Sequence, residues 1–224
     1  MKKKIIVFTR VPWPEDTKTR LRSALSPEDC AELQGCMLRH VLAQCRVAGI
    51  DRVVCYTPAE RKSLLEPCLQ GEPLLVQQGG GLGERMARAV EETLKTSEAC
   101  VLVGSDLPFL TPETFLEAFR LLEESDAVLG PADDGGYYLV GMKAFHAELF
   151  SAERYGGSSV LSQTLRAARK LGLTVGLCAQ SRDLDVKEDL YFLSRQISEG
   201  RLRCPEVERF LESRGFLGER RPGA

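Results

Sequence analysis

Residues 100–108 read Cys-Val-Leu-Val-Gly-Ser-Asp-Leu-Pro, an apolar run that ends in a carboxylate and a proline. A short continuous apolar run of this kind is typical of a buried strand in a parallel sheet. Asp106 would then lie at the carboxyl end of that strand, in a loop that Pro108 stiffens. A carboxylate in this position can hold a hard divalent cation while substrate phosphates fill the other coordination positions.

Asp106 has a second interpretation, because an aspartate before a helix can cap it or accept hydrogen bonds from local amides. Thr111 followed by Pro112 already supplies a strong helix start a few residues later. The capping interpretation loses its main support, and metal binding is favoured.

Apolar runs alternate with amphipathic segments along the rest of the chain. Strands are predicted over residues 4–9, 52–57, 74–77, 100–104, 127–130, 137–142 and 174–178. Helices are predicted over residues 29–48, 59–69, 82–95 and 158–171, after Thr111, and twice more near the C-terminus. This alternation predicts an α/β fold with helices on both faces of a parallel or mixed sheet. No linker or repeat divides the chain, so residues 1–224 are expected to form a single domain.

The composition excludes several classes of protein. A net charge of -2 over 224 residues argues against a chain built mainly to coat nucleic acid. No apolar stretch approaches the roughly 20 residues of a membrane span, so we expect a soluble, cytoplasmic protein. The eight cysteines contain no C-x-x-C pair and only two histidines accompany them, which favours buried thiols over disulfides or zinc.

Basic residues are concentrated in the loop after the first predicted strand, at Arg10, Lys18, Arg20 and Arg22. In α/β sheets, ligands bind beyond the carboxyl ends of the strands, where clustered cations suit phosphate oxygens. The loop lacks the P-loop pattern G-x-x-x-x-G-K-[ST]. A solvent-exposed basic loop without a function is the alternative.

Acidic residues follow the last predicted strand, and Asp185 is the one that could return over the site as a second metal ligand. The same acids would also suit a helix N-cap and first turn, where they meet the helix dipole favourably. Sequence spacing leaves these two interpretations even.

Two glycine-containing loops complete the candidate site. Gly81 and Gly83 follow the third strand and could let the backbone approach a ligand, or simply form a flexible turn. In the segment Asp134-Gly135-Gly136, the carboxylate could accept hydrogen bonds from substrate hydroxyls. A hairpin turn built on Asp-Gly explains the same residues and is favoured by local chemistry alone.

Several ordered motifs resemble a known family. They are Lys18-Thr19-Arg20-Leu21, Gly81-Leu82-Gly83-Glu84-Arg85-Met86, Gly104-Ser105-Asp106-x-Pro108, Gly130-Pro131-Ala132-x-Asp134-Gly135-Gly136-Tyr137-Tyr138, and Asp185. Together, over residues 4–190, they resemble an uncharacterised bacterial family of GT-A-type glycosyltransferase-like proteins in the nucleotide-diphospho-sugar transferase superfamily. That superfamily also contains molybdenum-cofactor and phospholactate nucleotidyltransferases.

The resemblance implies a GT-A fold, a three-layer α/β/α sandwich with a mixed, mainly parallel sheet. It implies that Asp106 takes the place of the metal-binding aspartate in a D-x-D element whose first position is Gly104 here. Lys18 and Arg20 would face nucleotide phosphates, and Asp134 with its glycines would line the acceptor or sugar pocket. The chain departs from the family in having Glu15 where a glycine is usual, next to Asp16.

The resulting hypothesis is a glycosyltransferase that uses a nucleotide-diphosphate sugar, with Mg²⁺ or Mn²⁺ on Asp106 and Asp185. Asp134 is the candidate general base and Asp133 its reserve. The expected ligand-binding residues are Arg10, Lys18, Arg20, Arg22, Gly81, Gly83, Ser105, Gly135 and Gly136.

Two alternatives stay open at this stage. One is nucleotidyl transfer from a nucleoside triphosphate to a phosphorylated acceptor, with release of pyrophosphate, and the other is a non-catalytic nucleotide-sugar binding protein. The expected partners are a nucleotide sugar or nucleotide and a small-molecule acceptor. A homodimer through the C-terminal helices is a further expectation.

Overall fold

The computed structural model describes residues 1–152 and 154–217. Its strands are β1 (Lys3–Arg10), β2 (Asp51–Thr57), β3 (Leu74–Val76), β4 (Ala99–Gly104), β5 (Ala127–Pro131), β6 (Tyr137–Met142) and β7 (Val175–Leu177). Its α-helices are α1 (Pro27–Val47), α2 (Leu82–Leu94), α3 (Pro112–Glu124), α4 (Val160–Lys170), α5 (Lys187–Ser198) and α6 (Pro205–Ser213). Short 3₁₀ helices cover Thr19–Leu21, Ala59–Cys68 and Ala147–Phe150.

The strands form one seven-stranded sheet in the order β3-β2-β1-β4-β6-β5-β7. Strand β6 runs antiparallel to both of its neighbours, β4 and β5, whereas the other pairs are parallel. The predicted α/β fold with a mixed, mainly parallel sheet is confirmed. The prediction of a single domain over residues 1–224 stays a prediction, and residue 153 and residues 218–224 lie outside the described part.

Helices cover both faces of the sheet because side chains alternate along each buried strand. Ile5 and Val7 of β1 pack with α1 and α3 on one face. Ile6 packs with α2 and α4 on the other face. Helices α5 and α6 pack against the outer side of α1, around residues such as Leu33 and Leu193.

Helix α1 begins two residues before the predicted start at residue 29, because Ser26 and Pro27 form its cap. The Ser26 hydroxyl accepts a hydrogen bond from the backbone N–H of Asp29 at 3.1 Å, and Pro27 has no N–H to satisfy. The helix ends before Gly49, whose φ of 68° places it in the left-handed region that glycine tolerates.

The helix predicted over residues 59–69 is a 3₁₀ helix with a kink instead of a regular α-helix. Arg61 has a non-helical φ of -106°, and Pro67 lies inside the segment. Proline lacks a backbone donor and its ring clashes with the preceding turn, so an α-helical ladder cannot run through this segment.

The described helices include none that is both long and apolar enough to cross a membrane. All eight cysteines are buried free thiols, which confirms their interpretation as small core residues. Burial raises the pKa of Cys55 and of Cys100 to about 12, so neither thiol is a reactive nucleophile at neutral pH.

Candidate active site

The loops that follow β1, β4, β5 and β7 meet at the carboxyl edge of the sheet, where ligands bind in folds of this class. The segment after β7 is attached to the other loops by backbone hydrogen bonds. Ser181 N–H donates to the carbonyl oxygen of Pro131 at 3.0 Å, and Leu184 N–H donates to that of Asp106 at 2.9 Å. These bonds bring residues 181–185 across the ends of β5 and β4.

Asp106 lies directly after β4, and its carboxylate is paired with Lys18. The Lys18 Nζ is 2.8 Å from Asp106 Oδ2, and it also donates to the carbonyl oxygen of Leu184. The side chain of Lys18 is only 3% exposed, whereas that of Asp106 is 42% exposed. Because a buried ammonium needs charged and polar partners, Asp106 and Leu184 together hold this lysine in place.

The backbone of Lys18 is strained. Its φ of 48° and ψ of 41° lie in the left-handed region, which costs a non-glycine residue roughly 1–2 kcal/mol. The residues that follow form the short helix Thr19–Leu21, anchored by the fully buried Leu21. Strain that persists at the edge of a cleft is typical of a functional position.

Ser105 belongs to a buried hydrogen-bonded group that positions the Asp106 loop. Gln34 Nε2 donates to Ser105 Oγ at 2.7 Å, and Ser105 Oγ is 2.9 Å from Thr9 Oγ1 and 3.4 Å from Asp106 Oδ1. Thr9, Gln34 and Ser105 are each 3% exposed. Ser105 was predicted to bind ligand, and the structure uses its hydroxyl to connect β1, α1 and the end of β4.

Asp185 is paired with Arg20, with Arg20 Nη1 2.6 Å from Asp185 Oδ2. The helix-capping interpretation applies to a different acid. Asp189 Oδ2 accepts hydrogen bonds from the backbone N–H groups of Asp185 (3.0 Å) and Val186 (2.9 Å) at the start of α5. The carboxylate of Asp185, which is 44% exposed, therefore remains directed at the cleft.

The cleft has two connected halves. The cationic cavity, of about 580 Å³, is lined by Arg10, Lys18, Arg20, Arg85, Gln34 and Gln77 among others. The tyrosine cavity, of about 360 Å³, is lined by Tyr137, Tyr138, Tyr155, Asp134, Gly136 and Asp183 among others. Asp106, Asp185 and Arg20 line both cavities, so the two carboxylates stand at their boundary.

Arg10 lines the cationic cavity and is paired with Asp16, one of the two acids that distinguish the first loop. The other acid of that pair, Glu15, receives a hydrogen bond on its carbonyl oxygen from Arg22 at 2.7 Å. Arg22 also donates to the carbonyl oxygen of Pro14 at 2.9 Å. Arg22, which was predicted to bind ligand, therefore stabilises the loop and does not line either cavity.

Asp134 is both a turn residue and a lining residue of the tyrosine cavity. Its Oδ1 accepts a hydrogen bond from Gly136 N–H at 2.8 Å within the connection between β5 and β6. Burial, and secondly the charge of Asp134, raise the pKa of Asp183 to about 6. No role was predicted for Asp183, although its place after the last strand could have indicated one.

Asp133, the reserve candidate for the general base, lies outside the cleft. Its carboxylate accepts a hydrogen bond from Gln180 Nε2 at 2.8 Å, and it lines a separate surface depression beside Phe109 and Phe192. Asp134 lines the tyrosine cavity and Asp133 does not, so the two neighbouring carboxylates face different sides of the turn.

Two of the predicted glycines serve packing. A Cβ on Gly83 would lie 2.4 Å from the carbonyl oxygen of Phe150, so glycine lets α2 approach the 147–150 helix. Gly135 has a φ of 84°, and a Cβ there would lie 2.3 Å from the carbonyl oxygen of Ser158. Gly81 is the N-cap of α2, and its neighbours at positions 80 and 82 line the cationic cavity.

The donor set fits a divalent cation that takes part of its coordination from a substrate. No group of three His, Cys, Asp or Glu side chains among the described residues is arranged to hold a metal. Asp106 and Asp185 each use one oxygen, Oδ2, in an ion pair, and both line both halves of the cleft. Mg²⁺ commonly takes one or two carboxylates and completes its shell with phosphates and water.

A family described as an uncharacterized protein conserved in bacteria (DUF2064) matches residues 38–157, more than half of the chain. The chain belongs to the DUF2064 family. This DUF2064 protein is 31% identical to a phosphoenolpyruvate guanylyltransferase of Rubrobacter xylanophilus, over 82% of this chain and 91% of that protein. It is 30% identical to a 2-phospho-L-lactate guanylyltransferase of Methanothrix thermoacetophila, over 77% of this chain and 76% of that protein.

Among solved structures, the DUF2064 protein is similar to a provisionally assigned nucleotide-diphospho-sugar transferase from Desulfovibrio desulfuricans. The TM-score is 0.84, with 29% identity over 95% of this chain and 96% of that chain. These findings confirm a fold like that of the nucleotide-diphospho-sugar transferases and support a nucleotide-binding transferase. They favour the nucleotidyltransferase alternative over the glycosyltransferase hypothesis, because the named sequence relatives are guanylyltransferases.

Proposed function

We propose that this protein is a nucleotidyltransferase that moves GMP from GTP to a small phosphorylated acceptor and releases pyrophosphate. The observation that carries this choice is the similarity to two guanylyltransferases, one of them matched over 91% of its length. The cleft supports the same choice, since its larger half presents several cations to a polyphosphate.

The proposed reaction is a displacement at the α-phosphorus of GTP. A phosphate oxygen of the acceptor forms a bond to that phosphorus, the bond from it to the bridging oxygen of the β-phosphate breaks, and pyrophosphate leaves with the electron pair. Lys18 and Arg20 would neutralise the charge that develops on the transferred and leaving phosphoryl groups. An acceptor phosphate is already deprotonated at neutral pH, so this reaction needs no general base.

Asp106 and Asp185 are the residues that would hold a divalent cation at the boundary of the two cavities. Such a cation would supply neutralisation of the phosphoryl charge. In this proposal the Lys18 ammonium, which is paired with Asp106 and lines the cationic cavity, would also donate hydrogen bonds to the nucleotide phosphates.

A second candidate function, glycosyl transfer from a nucleotide-diphosphate sugar, is favoured by the chemistry of the tyrosine cavity. Its described lining contains four carboxylates and a single basic side chain, Arg20, which is itself paired with Asp185. Hydroxyl groups suit this lining better than a doubly charged acid does. In that reaction Asp134 would be the general base that deprotonates the attacking hydroxyl.

The deciding experiment measures the released product. The purified chain is incubated with Mg²⁺ or Mn²⁺ in two series, one with GTP plus phosphoenolpyruvate or 2-phospho-L-lactate, the other with nucleotide sugars plus hydroxyl acceptors. We expect metal-dependent pyrophosphate release in the first series, reduced at least tenfold by Asp185→Asn. Asp51→Asn is the matched control, because Asp51 is exposed at the amino end of β2, far from the cleft.

Release of a nucleoside diphosphate in the second series, with no pyrophosphate in the first, would replace this proposal by glycosyl transfer. Binding of nucleotides without product in either series would instead support the non-catalytic alternative.

A further inference from the structure

Gln77 follows β3 and directs its side chain amide across the ends of two neighbouring strands. Its Nε2 donates one hydrogen bond to the carbonyl oxygen of Thr9 at 3.0 Å and another to that of Cys55 at 3.1 Å. Both amide hydrogens are therefore used by backbone acceptors of β1 and β2.

These two bonds fix the orientation of the amide. A flipped amide would place its oxygen against two carbonyl oxygens, which can only accept hydrogen bonds, so the flipped form is excluded by chemistry. The buried side-chain nitrogens and oxygens of the described residues all have a hydrogen-bond partner. Gln77 Oε1 takes part in no such bond within the described residues, so it is an accessible acceptor, and Gln77 lines the cationic cavity.

The position of this acceptor suits the base of a nucleotide whose phosphates lie near Asp106. The amide is held at the ends of β1 and β2, and Asp106 follows β4, the other neighbour of β1. Strands lie about 4.8 Å apart, so the amide is one to two strand spacings, roughly 5–10 Å, from the carboxylate. The base edge of a bound nucleotide lies at a similar distance from its phosphates.

We propose that Gln77 reads the base, by accepting through Oε1 a hydrogen bond from the N1–H and 2-amino edge of guanine. This inference rests on the proposed use of GTP and names the residue that would select it. Adenine has neither of these donors on the corresponding edge. A fixed acceptor left without a donor in a desolvated pocket disfavours the wrong base.

A purely structural role for Gln77 makes a different prediction. The two hydrogen bonds to Thr9 and Cys55 tie β3 to the sheet, and their loss would weaken binding of every nucleotide to the same degree. Only a direct contact between Gln77 and the base makes the ratio of the GTP and ATP affinities depend on this side chain.

The test compares dissociation constants for GTP and ATP, by calorimetry with Mg²⁺, in the natural chain and in Gln77→Met. We expect the natural chain to bind GTP at least tenfold more tightly than ATP, and the GTP-to-ATP ratio to fall by about tenfold or more in the variant. Gln78→Met is the matched control, because Gln78 is an exposed neighbour that lies outside the cationic cavity. The control should retain the ratio, and a thermal melt of each variant verifies folding.

Two results would overturn the inference in distinguishable ways. If the natural chain prefers GTP and Gln77→Met keeps that preference, another group reads the base, while the proposed function stands. If the natural chain binds ATP as tightly as GTP, the assignment of the donor falls together with the role of Gln77.

Discussion

Ion clusters at the two ends of the sheet bury opposite charges. At the amino end, the side chain of Glu72 is 1% exposed. Its carboxylate accepts hydrogen bonds from Arg46 Nε at 2.9 Å, Arg52 Nε at 3.2 Å and the backbone N–H of Gln70 at 2.6 Å. At the carboxyl end it is the cation, Lys18, that is buried, while its partner Asp106 is 42% exposed.

This difference distinguishes a cluster that can only stabilise the fold from one that could also bind a ligand. The carboxylate of Glu72 is surrounded by its partners, so it has no capacity left for a ligand and can only hold the fold. The carboxylate of Asp106 is open to the cleft, so it can bind a ligand while the buried lysine anchors its loop.

The largest expected effect is on catalysis at the carboxyl end. Asp106→Asn should lower the rate of nucleotide transfer about a hundredfold or more, because the carboxylate that would hold the cation is lost. Stability should also fall, by about 1–3 kcal/mol, because the buried Lys18 ammonium keeps neutral acceptors but loses its charged partner. Steady-state assays and urea unfolding measure the two quantities, and a large loss of stability with retained activity would reverse the comparison.

The corresponding change at the amino end should lower the stability of the protein and leave its activity unchanged. Glu72→Gln should lower the free energy of unfolding by about 2 kcal/mol, since the four hydrogen bonds that this carboxylate accepts from Arg46, Arg52 and Gln70 weaken. The rate of nucleotide transfer at 25 °C should match that of the natural chain. Urea unfolding tests the first statement, and a loss of activity in a folded variant would show that this cluster also serves the site.

Replacing the buried Lys18 tests the comparison of the two ion clusters from the side of the cation. Lys18→Met keeps most of the side-chain volume and should weaken nucleotide binding about tenfold, because a charged hydrogen-bond donor to phosphate is lost. Stability should change little, since the variant no longer buries an ammonium. Calorimetric titration with GTP checks the affinity, and unchanged binding would remove Lys18 from the phosphate site.

The smallest expected effect is on the pH dependence of stability. Burial raises the pKa of Glu72, but hydrogen bonds from Gln70, Arg46 and Arg52 outweigh it and hold the pKa below the ordinary 4.5. A lowered folded-state pKa stabilises the protein above the unfolded-state value, and this contribution is lost as the pH falls through the folded-state pKa.

The difference in unfolding free energy between the natural chain and Glu72→Gln should therefore be constant near neutral pH and shrink below about pH 4.5. Urea unfolding between pH 7 and pH 3 measures it. A difference that grows in acid would mean that the pKa of Glu72 is raised instead of lowered.

Local patterns predicted the elements well wherever one residue type has a strong local preference. The run before Asp106 places a carboxylate at a strand end, and Thr111 with Pro112 begins a helix, in the sequence and in the structure alike. The role of Asp185 could not be predicted from the sequence, because a series of acidic residues is compatible both with a helix cap and with a metal-binding site. The choice between Asp185 and Asp189 depends on the direction of each side chain, which sequence spacing does not encode.

The amino-acid sequence by itself determined the alternation of strands and helices, the edge of the sheet where the candidate site lies, and the cluster of charges near Asp106. These follow from periodicity and chain direction, which are local properties. Only the tertiary structure decided that Lys18 is buried and Asp106 open, that Asp133 faces away from the cleft, and that the amide of Gln77 has a single orientation. Each depends on partners from distant strands and loops, whose approach is set by the packing of the whole sheet.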